Sequence, residues 1–402
     1  MSFRCLTCFL IMSATLSLRA EDSLVPLEET HLPPFFNGKV LEPKMVWEEH
    51  RRDEILRLFE QHVFGKAPEE GYQLTFEVMD ESDLDSLKAR RIKIATHVQT
   101  ELGSLTIRTV VFLPLEVHSK IPVFLGMHLF DSNKEIPIVG QPWNDPDHRL
   151  SGLAEKDPTA LLHMIFSRGY GLATIDANDV DPDNHDGFLN GVHGLFHSES
   201  QRPHGESDWG TLAAWAWGLS RSLDALETLE AIDSERVFVI GHSRMGKAAL
   251  WAGARDERFA MVISNNSGCG GAAISRRKKG ETVAHINRVF PHWFCQRFHA
   301  YGNKEDQLPV DQHMLVALSA PRPVYVASAE EDAWADPFGE FLSAYYASEI
   351  YRYHGLEGLS KEERPVLNHS IGSRVGYHLR SGRHDITAFD WLKYLEFADR
   401  HF

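Results

Sequence analysis

Long apolar segments and extended basic stripes are both missing from this 402-residue chain. After residue 20 no stretch offers about eighteen uninterrupted apolar residues, the length that a transmembrane helix needs. The formal net charge is −16, and no run of Lys and Arg is long enough to form a basic stripe against that background. Because nucleic-acid binding rests on neutralising phosphates with clustered cations, this composition excludes nucleic acid as an expected partner. We also expect no membrane association of the mature chain.

Metal-binding motifs are missing as well. The His residues do not fall into an H-E-x-x-H arrangement, which would hold zinc on one face of a helix. The acidic stretch DANDVDPDNHD at 176–186 lacks the Gly and the terminal Glu of an EF-hand loop. We interpret this stretch as a solvated or helix-capping loop, and we predict neither a metal site nor a cofactor.

Cysteine is scarce, and two of the four residues lie in an N-terminal segment with the features of a signal peptide. Residues 1–20 place an Arg before a short apolar stretch, which predicts cleavage near Ala20 and a secreted or periplasmic protein. Cleavage leaves only Cys269 and Cys295. In an oxidising compartment these two either form a disulfide or stay as separate buried thiols, and the sequence leaves both possibilities open.

No internal repeat, low-complexity tract or Pro/Gly/Ser-rich linker divides the rest of the chain. A hydrophobic content of 43% is enough to form one large core. We therefore predict a single catalytic domain over residues 21–402 and expect it to be a monomer.

Hydrophobic periodicity predicts the order of helices and strands. We expect an amphipathic helix over 45–64 and then three antiparallel strands at 72–79, 89–97 and 104–113. From residue 121 onward short apolar runs alternate with helical stretches. The predicted elements there are strand 121–127, helix 158–168, strand 170–176, helix 207–231, strand 236–242, a helix after Ser243, and strands 259–265 and 322–328. Such alternation predicts an α/β fold with a mostly parallel central sheet in a three-layer α/β/α sandwich.

A predicted strand, a sharp turn and a helix meet at Ser243, in RVFVIGHSRMGK at 236–247. Gly241 leaves room for the serine hydroxyl to project above the sheet, while the first amides of the helix face the reacting carbonyl. This is the nucleophile elbow of the α/β-hydrolase fold, with the second glycine one position later than usual, at Gly246. We predict that Ser243 is a nucleophile; the alternative is a serine that only caps the helix.

Two basic residues follow this serine. Arg244 is its direct neighbour and is predicted to stabilise an oxyanion in addition to the backbone amides. Lys247 lies one helical turn further, at i+4 from Ser243, and is predicted to reach the same cavity. The alternative is that both are ordinary solvated cations.

The base and the acid of a serine triad follow the nucleophile in this fold, with the His last. His384 lies on a loop between the strand-like VGYHLR and the final helix, which makes it the predicted base ahead of His378 and His354.

The acid is expected in the loop after RPVYVAS, where a carboxylate can accept the His Nδ1 hydrogen. We predict Asp332, with Glu331 and Asp336 as alternatives, although three carboxylates in one short loop would also suit a solvated turn.

With these residues the chain resembles the bacterial glucuronoyl esterases of carbohydrate esterase family 15. The pattern G-x-S-R-x-G-K at 241–247 separates that family from most other α/β-hydrolases. Further matching stretches are NNSGCGG (265–271), GETV (280–283), HWFC (292–295), LPVDQH (308–313), APRPVYVASAEEDAWADP (320–337) and GRH (382–384). The resemblance covers roughly residues 45–402 and is strongest after residue 205.

The resemblance implies that Lys247, Glu281 and Trp334 bind the uronate ring, beside the catalytic roles already predicted. One departure concerns Asn266, where fungal members place their catalytic Glu. A neutral amide cannot stabilise an imidazolium as a carboxylate does, which supports Asp332 as the acid. A second departure is the loop MHLFDSNK at 127–134, which is Gly/Asn-rich in many bacterial relatives and whose part in the oxyanion hole stays undecided.

By this resemblance we expect hydrolysis of the ester between 4-O-methyl-glucuronic acid of glucuronoxylan and a lignin alcohol, through an acyl-enzyme on Ser243. Two alternatives stand: another carbohydrate esterase, such as an acetyl xylan esterase, and a catalytically silent carbohydrate-binding protein. Arg244 is expected to retain the carboxylate product, and salt is expected to weaken that attraction by screening.

Overall fold

A sheet of ten strands runs through the computed structural model, which describes residues 31–116, 119–129, 158–197 and 205–402. The strands are β1 (Gln73–Leu84), β2 (Ala89–Gln99), β3 (Ser104–Pro114), β4 (Ile121–His128), β5 (Gly171–Asp176), β6 (Ile232–His242), β7 (Met261–Asn265), β8 (Val324–Ala329), β9 (His369–Gly372) and β10 (Val375–Arg380). Their order across the sheet is β1-β2-β3-β5-β4-β6-β7-β8-β10-β9. The predicted signal peptide lies outside the described residues.

Two kinds of strand pairing divide the sheet. β1, β2 and β3 pair antiparallel, and β3 joins β5 in the same way. β5, β4, β6, β7, β8 and β10 then pair in parallel, and β9 is antiparallel to β10. Every residue of β4 and β8 is buried, as expected for strands covered on both faces. The predicted antiparallel start and parallel body are both confirmed.

Helices cover both faces of the sheet. The α-helices are α1 (Pro43–Val46), α2 (Arg52–Phe59), α3 (Pro158–Phe166), α4 (Ala177–Val180), α5 (Thr211–Leu226), α6 (Arg244–Arg255), α7 (Val283–Val289), α8 (Gln312–Ala317), α9 (Pro337–Tyr353) and α10 (Ala388–His401). α3 and α10 pack against strand side chains that include Phe124, Phe238 and Tyr325. α5 packs on α6, which covers β6 and β7, and α9 covers β8 and β10. The three-layer α/β-hydrolase fold is therefore the one that the sequence predicted.

The amphipathic helix predicted over 45–64 is a continuous helical segment in which α1 and α2 alternate with π-helical turns at Trp47–Arg51 and Glu60–Phe64. Its buried apolar side chains include Ile55 and Phe59. Short 3₁₀ segments elsewhere are Gly191–Leu195, Ser275–Arg277, Gln296–Tyr301 and Glu305–Gln307.

The helix predicted over 207–231 is too long at both ends, since the structure has Thr211–Leu226. Gly210 is extended, with ψ 175°, and its amide donates to the Phe64 carbonyl at 3.0 Å. At the other end the helix stops at Leu226, and the Ala231 carbonyl already accepts from the Ile121 amide of β4 at 2.9 Å. These two hydrogen bonds to distant parts of the chain override the helical periodicity at the two ends.

The loops that contain the predicted site residues leave the sheet at the carboxyl ends of its parallel strands, which form one edge. The parallel strands β5, β6, β7, β8 and β10 all end there, because parallel strands share the direction of their carboxyl ends. The loops that leave this edge contain Asp183, Ser243, Asn266, Asp332 and His384.

Candidate active site

Ser243 lies at the sharp turn between β6 and α6. Its backbone has φ 58° and ψ −127°, in a region that non-glycine residues rarely adopt. Two hydrogen bonds hold the turn: the Ser243 amide donates to the Asn265 carbonyl at 2.9 Å, and the Ser243 carbonyl accepts from the Gly246 amide at 2.9 Å. Strained backbone of this kind is typical of a nucleophile elbow.

Two glycines allow this turn. A Cβ on Gly241 would lie 2.0 Å from the carbonyl oxygen of Met245, so a larger residue does not fit there. A Cβ on Gly246 would lie 3.1 Å from the Cβ of Ser267, in the loop after β7. The shifted second glycine therefore has a packing reason, because a side chain at residue 246 would crowd this loop.

His384 and Asp332 are joined by a hydrogen bond of 2.6 Å between Nδ1 and Oδ2. Burial raises the pKa of Asp332, but the hydrogen bond and charge of His384 and a donor from Asn266 outweigh it, so the pKa lies below its ordinary value. The His384 ring is 27% exposed. It also contacts the ring of His242, the residue before Ser243, at a centroid distance of 4.6 Å. The ionised carboxylate thus holds Nδ1, so that Nε2 is the nitrogen a serine triad would use.

The other carboxylates of this loop have different partners. Glu331 is 57% exposed and lies 3.6 Å from Arg383. Asp336 accepts hydrogen bonds from Arg277 at 2.8 Å and 3.3 Å. The geometry favours Asp332, and its assignment as the acid stays a prediction.

The two rival histidines are bound to carboxylates in other parts of the fold. His378 is fully buried in β10 and hydrogen bonds Asp390 at 2.9 Å. His354 follows α9 and lies 3.4 Å from Glu48. The geometry therefore favours His384 as the base.

Asn266 occupies the position where the fungal pattern has its acid. It is buried, and its Nδ2 donates to Asp332 Oδ2 at 2.8 Å. A carboxylate at residue 266 would repel the ionised Asp332, whereas the amide stabilises it. The neutral residue at 266 and the acid at 332 therefore fit each other.

Arg244 is oriented by Asp183, which follows β5. One oxygen of Asp183 accepts from Arg244 Nη1. The other oxygen accepts from His292 Nε2 at 2.9 Å and from Trp293 Nε1 at 2.7 Å. Burial raises the pKa of Asp183, but these three donors lower it overall, so the carboxylate stays ionised beside the guanidinium.

Two aromatic rings also contact the guanidinium of Arg244. Its central carbon lies 4.7 Å from the ring centre of Trp293 and 5.2 Å from that of Phe290. The two rings stack on each other with their centroids 3.7 Å apart. The buried Nε of Arg244 has no acceptor among the described residues. Arg244 is thus fixed in place while one of its donors is unused by the described part of the chain.

Sequence reasoning missed Asp183. It lies in the acidic stretch 176–186, and the capping half of our interpretation is right for Asp176, which accepts an amide of α4 at 2.9 Å. The solvated half is wrong for Asp179 and Asp181, which are buried and bonded to Arg and Thr side chains, and right for Asn184 and His185, which are exposed. The available signal was the position of the stretch, directly after a parallel strand at the functional edge of the sheet.

The three predicted sugar-binding residues lie together. Lys247 is buried, donates to the Ser267 carbonyl, and its Nζ lies 3.9 Å from Glu281 Oε2 and 5.8 Å from the ring centre of Trp293. The Glu281 amide donates to the Trp334 carbonyl at 2.8 Å. The Trp334 side chain is 52% exposed and offers an aromatic surface to solvent.

Cys269 and Cys295 are both free and buried in the structure. Burial raises the pKa of Cys295 to about 11 and that of Cys269 further above its usual range. Of the two possibilities left open by the sequence, the structure has the separate thiols, and both are poor nucleophiles at neutral pH.

Only the start of the loop 127–134 belongs to the described residues. His128 is buried there, with its Nδ1 2.6 Å from Thr174 Oγ1, and burial lowers its pKa to about 4. The rest of the loop, and with it the second departure from the family pattern, lies outside the described residues.

In the part of the chain that the structure describes, no helix combines the length and apolar character that crossing a bilayer requires. In the same part no group of three or more His, Cys, Asp or Glu side chains is arranged to hold a metal ion.

Comparison with known sequences finds related esterases. A family model described as "Glucuronyl esterase, fungi" matches residues 171–355. The chain is 44% identical over 373 residues to the carbohydrate esterase MZ0003 from an unknown prokaryotic organism, a match that covers 88% of this chain and 85% of that relative.

Two solved structures are similar over most of the chain. The glucuronoyl esterase from Solibacter usitatus has a TM-score of 0.82 and 38% identity, and the match covers 92% of this chain and 97% of that one. A promiscuous esterase of carbohydrate esterase family 15 from a marine bacterial metagenome has a TM-score of 0.82 and 41% identity, covering 95% and 99%. The likeness therefore extends well beyond the elbow motif.

Proposed function

The chain belongs to the glucuronoyl esterases, carbohydrate esterase family 15, and from this premise we propose that it hydrolyses glucuronate esters through an acyl-enzyme on Ser243. The observation that supports the assignment most directly is the 2.6 Å hydrogen bond between Asp332 and His384. The ring held by this bond contacts the residue before Ser243. A serine at an elbow and a carboxylate-held imidazole are the nucleophile and the base that acyl transfer by a serine triad uses.

The proposed reaction has two steps. Ser243 Oγ attacks the C6 carbonyl carbon of the uronate while its proton passes to Nε2 of His384, and the resulting imidazolium then protonates the departing alcohol. In the second step a water molecule gives a proton to Nε2 and attacks the acyl carbon. The bond from that carbon to Ser243 Oγ then breaks while Nε2 returns the proton to Oγ, which releases the free acid and restores the serine. Asp332 stabilises the imidazolium in both steps through the hydrogen bond to Nδ1.

Arg244 is the proposed stabiliser of the oxyanion. Asp183 and the stacked rings of Phe290 and Trp293 fix its guanidinium beforehand, so little reorganisation is needed when negative charge develops. Its backbone amide is the first of α6 and has no acceptor within the helix, which makes it a second donor for the same oxygen.

Recognition of the uronate is assigned to Lys247, Glu281 and Trp334. The ammonium and the carboxylate lie 3.9 Å apart, so neighbouring ring hydroxyls can accept from one and donate to the other. The half-exposed indole of Trp334 offers an apolar surface for the sugar ring. An acetyl ester uses none of these three groups, so we expect it to be a poorer substrate.

The finer parts of the proposal rest on the sequence and on the family. We propose that the uronate belongs to glucuronoxylan and the alcohol to lignin, and that the mature enzyme is a monomer with one catalytic domain over residues 21–402. We also propose secretion or periplasmic export after cleavage near Ala20.

The proposal is tested with benzyl glucuronate and an acetyl ester as competing substrates. We expect the uronate ester to be preferred, and we expect Ser243→Ala and Asp332→Asn each to lower kcat/KM by about 10³-fold or more. Glu331→Gln is the matched control, because that neighbouring carboxylate is exposed and should be dispensable. Full activity of Asp332→Asn together with loss in Glu331→Gln would move the acid to residue 331.

A second candidate function is broad activity on acetyl esters, since one relative of similar fold is a promiscuous esterase. Equal turnover of both esters would favour it. Failure of a serine-directed fluorophosphonate to label the wild type at Ser243 would instead favour a silent carbohydrate-binding protein.

A further inference from the structure

Arg380, the last residue of β10, is buried beneath the loop that contains His384. Its Nη2 donates to the carbonyl of Arg383 at 2.8 Å and to that of Asp385 at 2.6 Å. Its Nη1 donates to the carbonyl of Ser381 at 3.0 Å. One guanidinium therefore binds the backbone on both sides of His384.

The carboxylate of Asp390 binds the same guanidinium. The carboxylate is fully buried and accepts from Arg380 Nε at 2.9 Å and 3.2 Å. The same carboxylate accepts from the amide and the hydroxyl of Thr387 at 2.6 Å and 2.7 Å, which caps α10. Asp390 thus ties Arg380 to the first turn of a packed helix, so the guanidinium is placed by rigid structure rather than by the loop.

The Asp390 carboxylate is also linked, through hydrogen bonds of Asn265, to the residue before Ser243. Asn265, at the end of β7, donates its Nδ2 to Asp390 Oδ1 at 3.1 Å. Its Oδ1 lies 2.6 Å from Nδ1 of His242, the neighbour of Ser243. Because Asn265 Nδ2 donates to Asp390 and, at 2.7 Å, to the Tyr394 hydroxyl, its Oδ1 must accept, and His242 Nδ1 is the donor.

The backbone around Arg380 also binds the loop of the acid. The Arg380 carbonyl accepts from the Glu330 amide at 2.8 Å, and the Gly382 carbonyl accepts from the Glu331 amide at 3.0 Å. These bonds come directly before Asp332. The first residues of the His384 loop are therefore hydrogen bonded to the Asp332 loop. The residues on both sides of His384 are bonded to the Arg380 side chain.

We propose that Arg380, oriented by Asp390, is a positioning residue that keeps His384 aligned with Asp332 and Ser243. The inference rests on the proposed serine mechanism. A catalytic base must be held to within a fraction of an ångström, and a surface loop without such an anchor does not provide that. The planar guanidinium suits this task because its donors point to several carbonyls at once, which the single nitrogen of a lysine cannot reproduce.

The test compares Arg380→Lys with Arg322→Lys. Arg322 precedes β8 at the opposite edge of the sheet and also donates to three backbone carbonyls, those of Gly253, Asp256 and Phe259. Both variants lose donors to three backbone carbonyls, and Arg380→Lys also loses the Nε bonds to Asp390. On benzyl glucuronate we expect Arg380→Lys to lower kcat about 10- to 100-fold with KM within about threefold of the wild type. Arg322→Lys should leave kcat within about twofold, whatever its loss in Tm.

A spectroscopic readout separates positioning from stability. The far-downfield proton resonance of His384 Nδ1–H, identified by its loss in Asp332→Asn, should broaden or shift in Arg380→Lys and stay in place in Arg322→Lys. Equal kcat in the two variants with an unchanged resonance would overturn the inference. If Arg380→Lys does not fold, Asp390→Asn takes its place and is judged by the same kcat and resonance criteria.

Ser243→Ala measured alongside distinguishes the two proposals. An inactive Ser243→Ala with a fully active Arg380→Lys would remove only the positioning role. An active Ser243→Ala would remove the serine mechanism itself, and the positioning role with it.

Discussion

Each ionised side chain of the candidate site is paired within the protein. Asp332 accepts from His384 and Asn266, Asp183 accepts from Arg244, and Glu281 lies near Lys247. Removing one partner of a buried pair leaves an uncompensated charge, which destabilises the fold as well as the transition state. Kinetics of variants at these positions must therefore be read together with their unfolding free energies.

Glu340 gives a stability prediction at the residue scale. It is fully buried on α9, where it accepts from Ser328 Oγ at 2.6 Å and from the Gly268 amide at 2.9 Å, and burial raises its pKa from 4.5 to about 8. The folded state therefore keeps a proton that the unfolded state has released between these two values. The contribution of Glu340 to the free energy of unfolding should be largest below about pH 4.5 and fall by about 1 kcal/mol per pH unit up to about pH 8.

Glu340→Gln tests this directly, because glutamine matches the protonated acid in shape and cannot ionise. Urea unfolding at pH 5 and pH 9 should show that the variant loses less stability than the wild type over that interval. Glu349→Gln, on the same helix but partly exposed, is the control and should follow the wild type. Parallel pH dependence of Glu340→Gln and the wild type would contradict the prediction.

Some residues of the site are predictable from sequence and others are not. Ser243, Asp332 and His384 follow from a local motif and from the fixed order of nucleophile, acid and base along the chain. Asp183 contacts Arg244 and Trp293, which are distant in the chain, and no local pattern reports such contacts. The Arg380 side chain binds carbonyls of its own loop, but these bonds depend on how that loop folds back over it, which the sequence does not show. Asn266 is intermediate: the missing acid was visible, whereas its hydrogen bond to Asp332 was not.

The elbow is the element whose packing is least tolerant. We expect Gly241→Ala to lower the free energy of unfolding by at least about 3 kcal/mol and to abolish fluorophosphonate labelling, because the new Cβ would meet the Met245 carbonyl at 2.0 Å. Gly246→Ala is the matched comparison. A Cβ at residue 246 would have its nearest neighbours at 3.0 Å or more. The residue also lies within α6, so the helix propensity of alanine offsets part of the crowding. Comparable losses in both variants would refute this ranking.

The elements themselves were predicted well where local signals are strong. The sequences of β4 and β5 are short apolar runs because both faces of these strands are covered. α6 begins where the elbow motif predicts. The helix predicted over 207–231 failed at its ends, since Gly210 bonds to Phe64 far away in the chain. Strand order could not be predicted either: β5 lies between β3 and β4, which periodicity does not reveal.

Charge is the property that belongs to the whole molecule. The protein has a formal net charge of −16. The two cations of the site, Arg244 and Lys247, already have the acidic neighbours Asp183 and Glu281. The sequence suggested that Arg244 would retain the anionic product. With Asp183 in contact, that attraction is largely neutralised, and the remaining long-range field repels an anion.

The last prediction concerns product inhibition by free glucuronate and reverses the sign expected from the sequence. For the wild type, the inhibition constant should stay level or fall as salt rises, because screening shortens the Debye length from about 30 Å at 0.01 M to about 8 Å at 0.15 M and so weakens the repulsion by the net negative charge. Asp183→Asn leaves Arg244 without its anionic partner, so this variant should bind glucuronate more tightly at low salt and lose that gain as salt is added. Wild-type inhibition that weakens with salt as steeply as in Asp183→Asn would mean that Arg244 attracts anions despite its partner. The inhibition constants of both proteins across the salt series therefore decide whether the paired arginine acts only on the transition state or also holds the product.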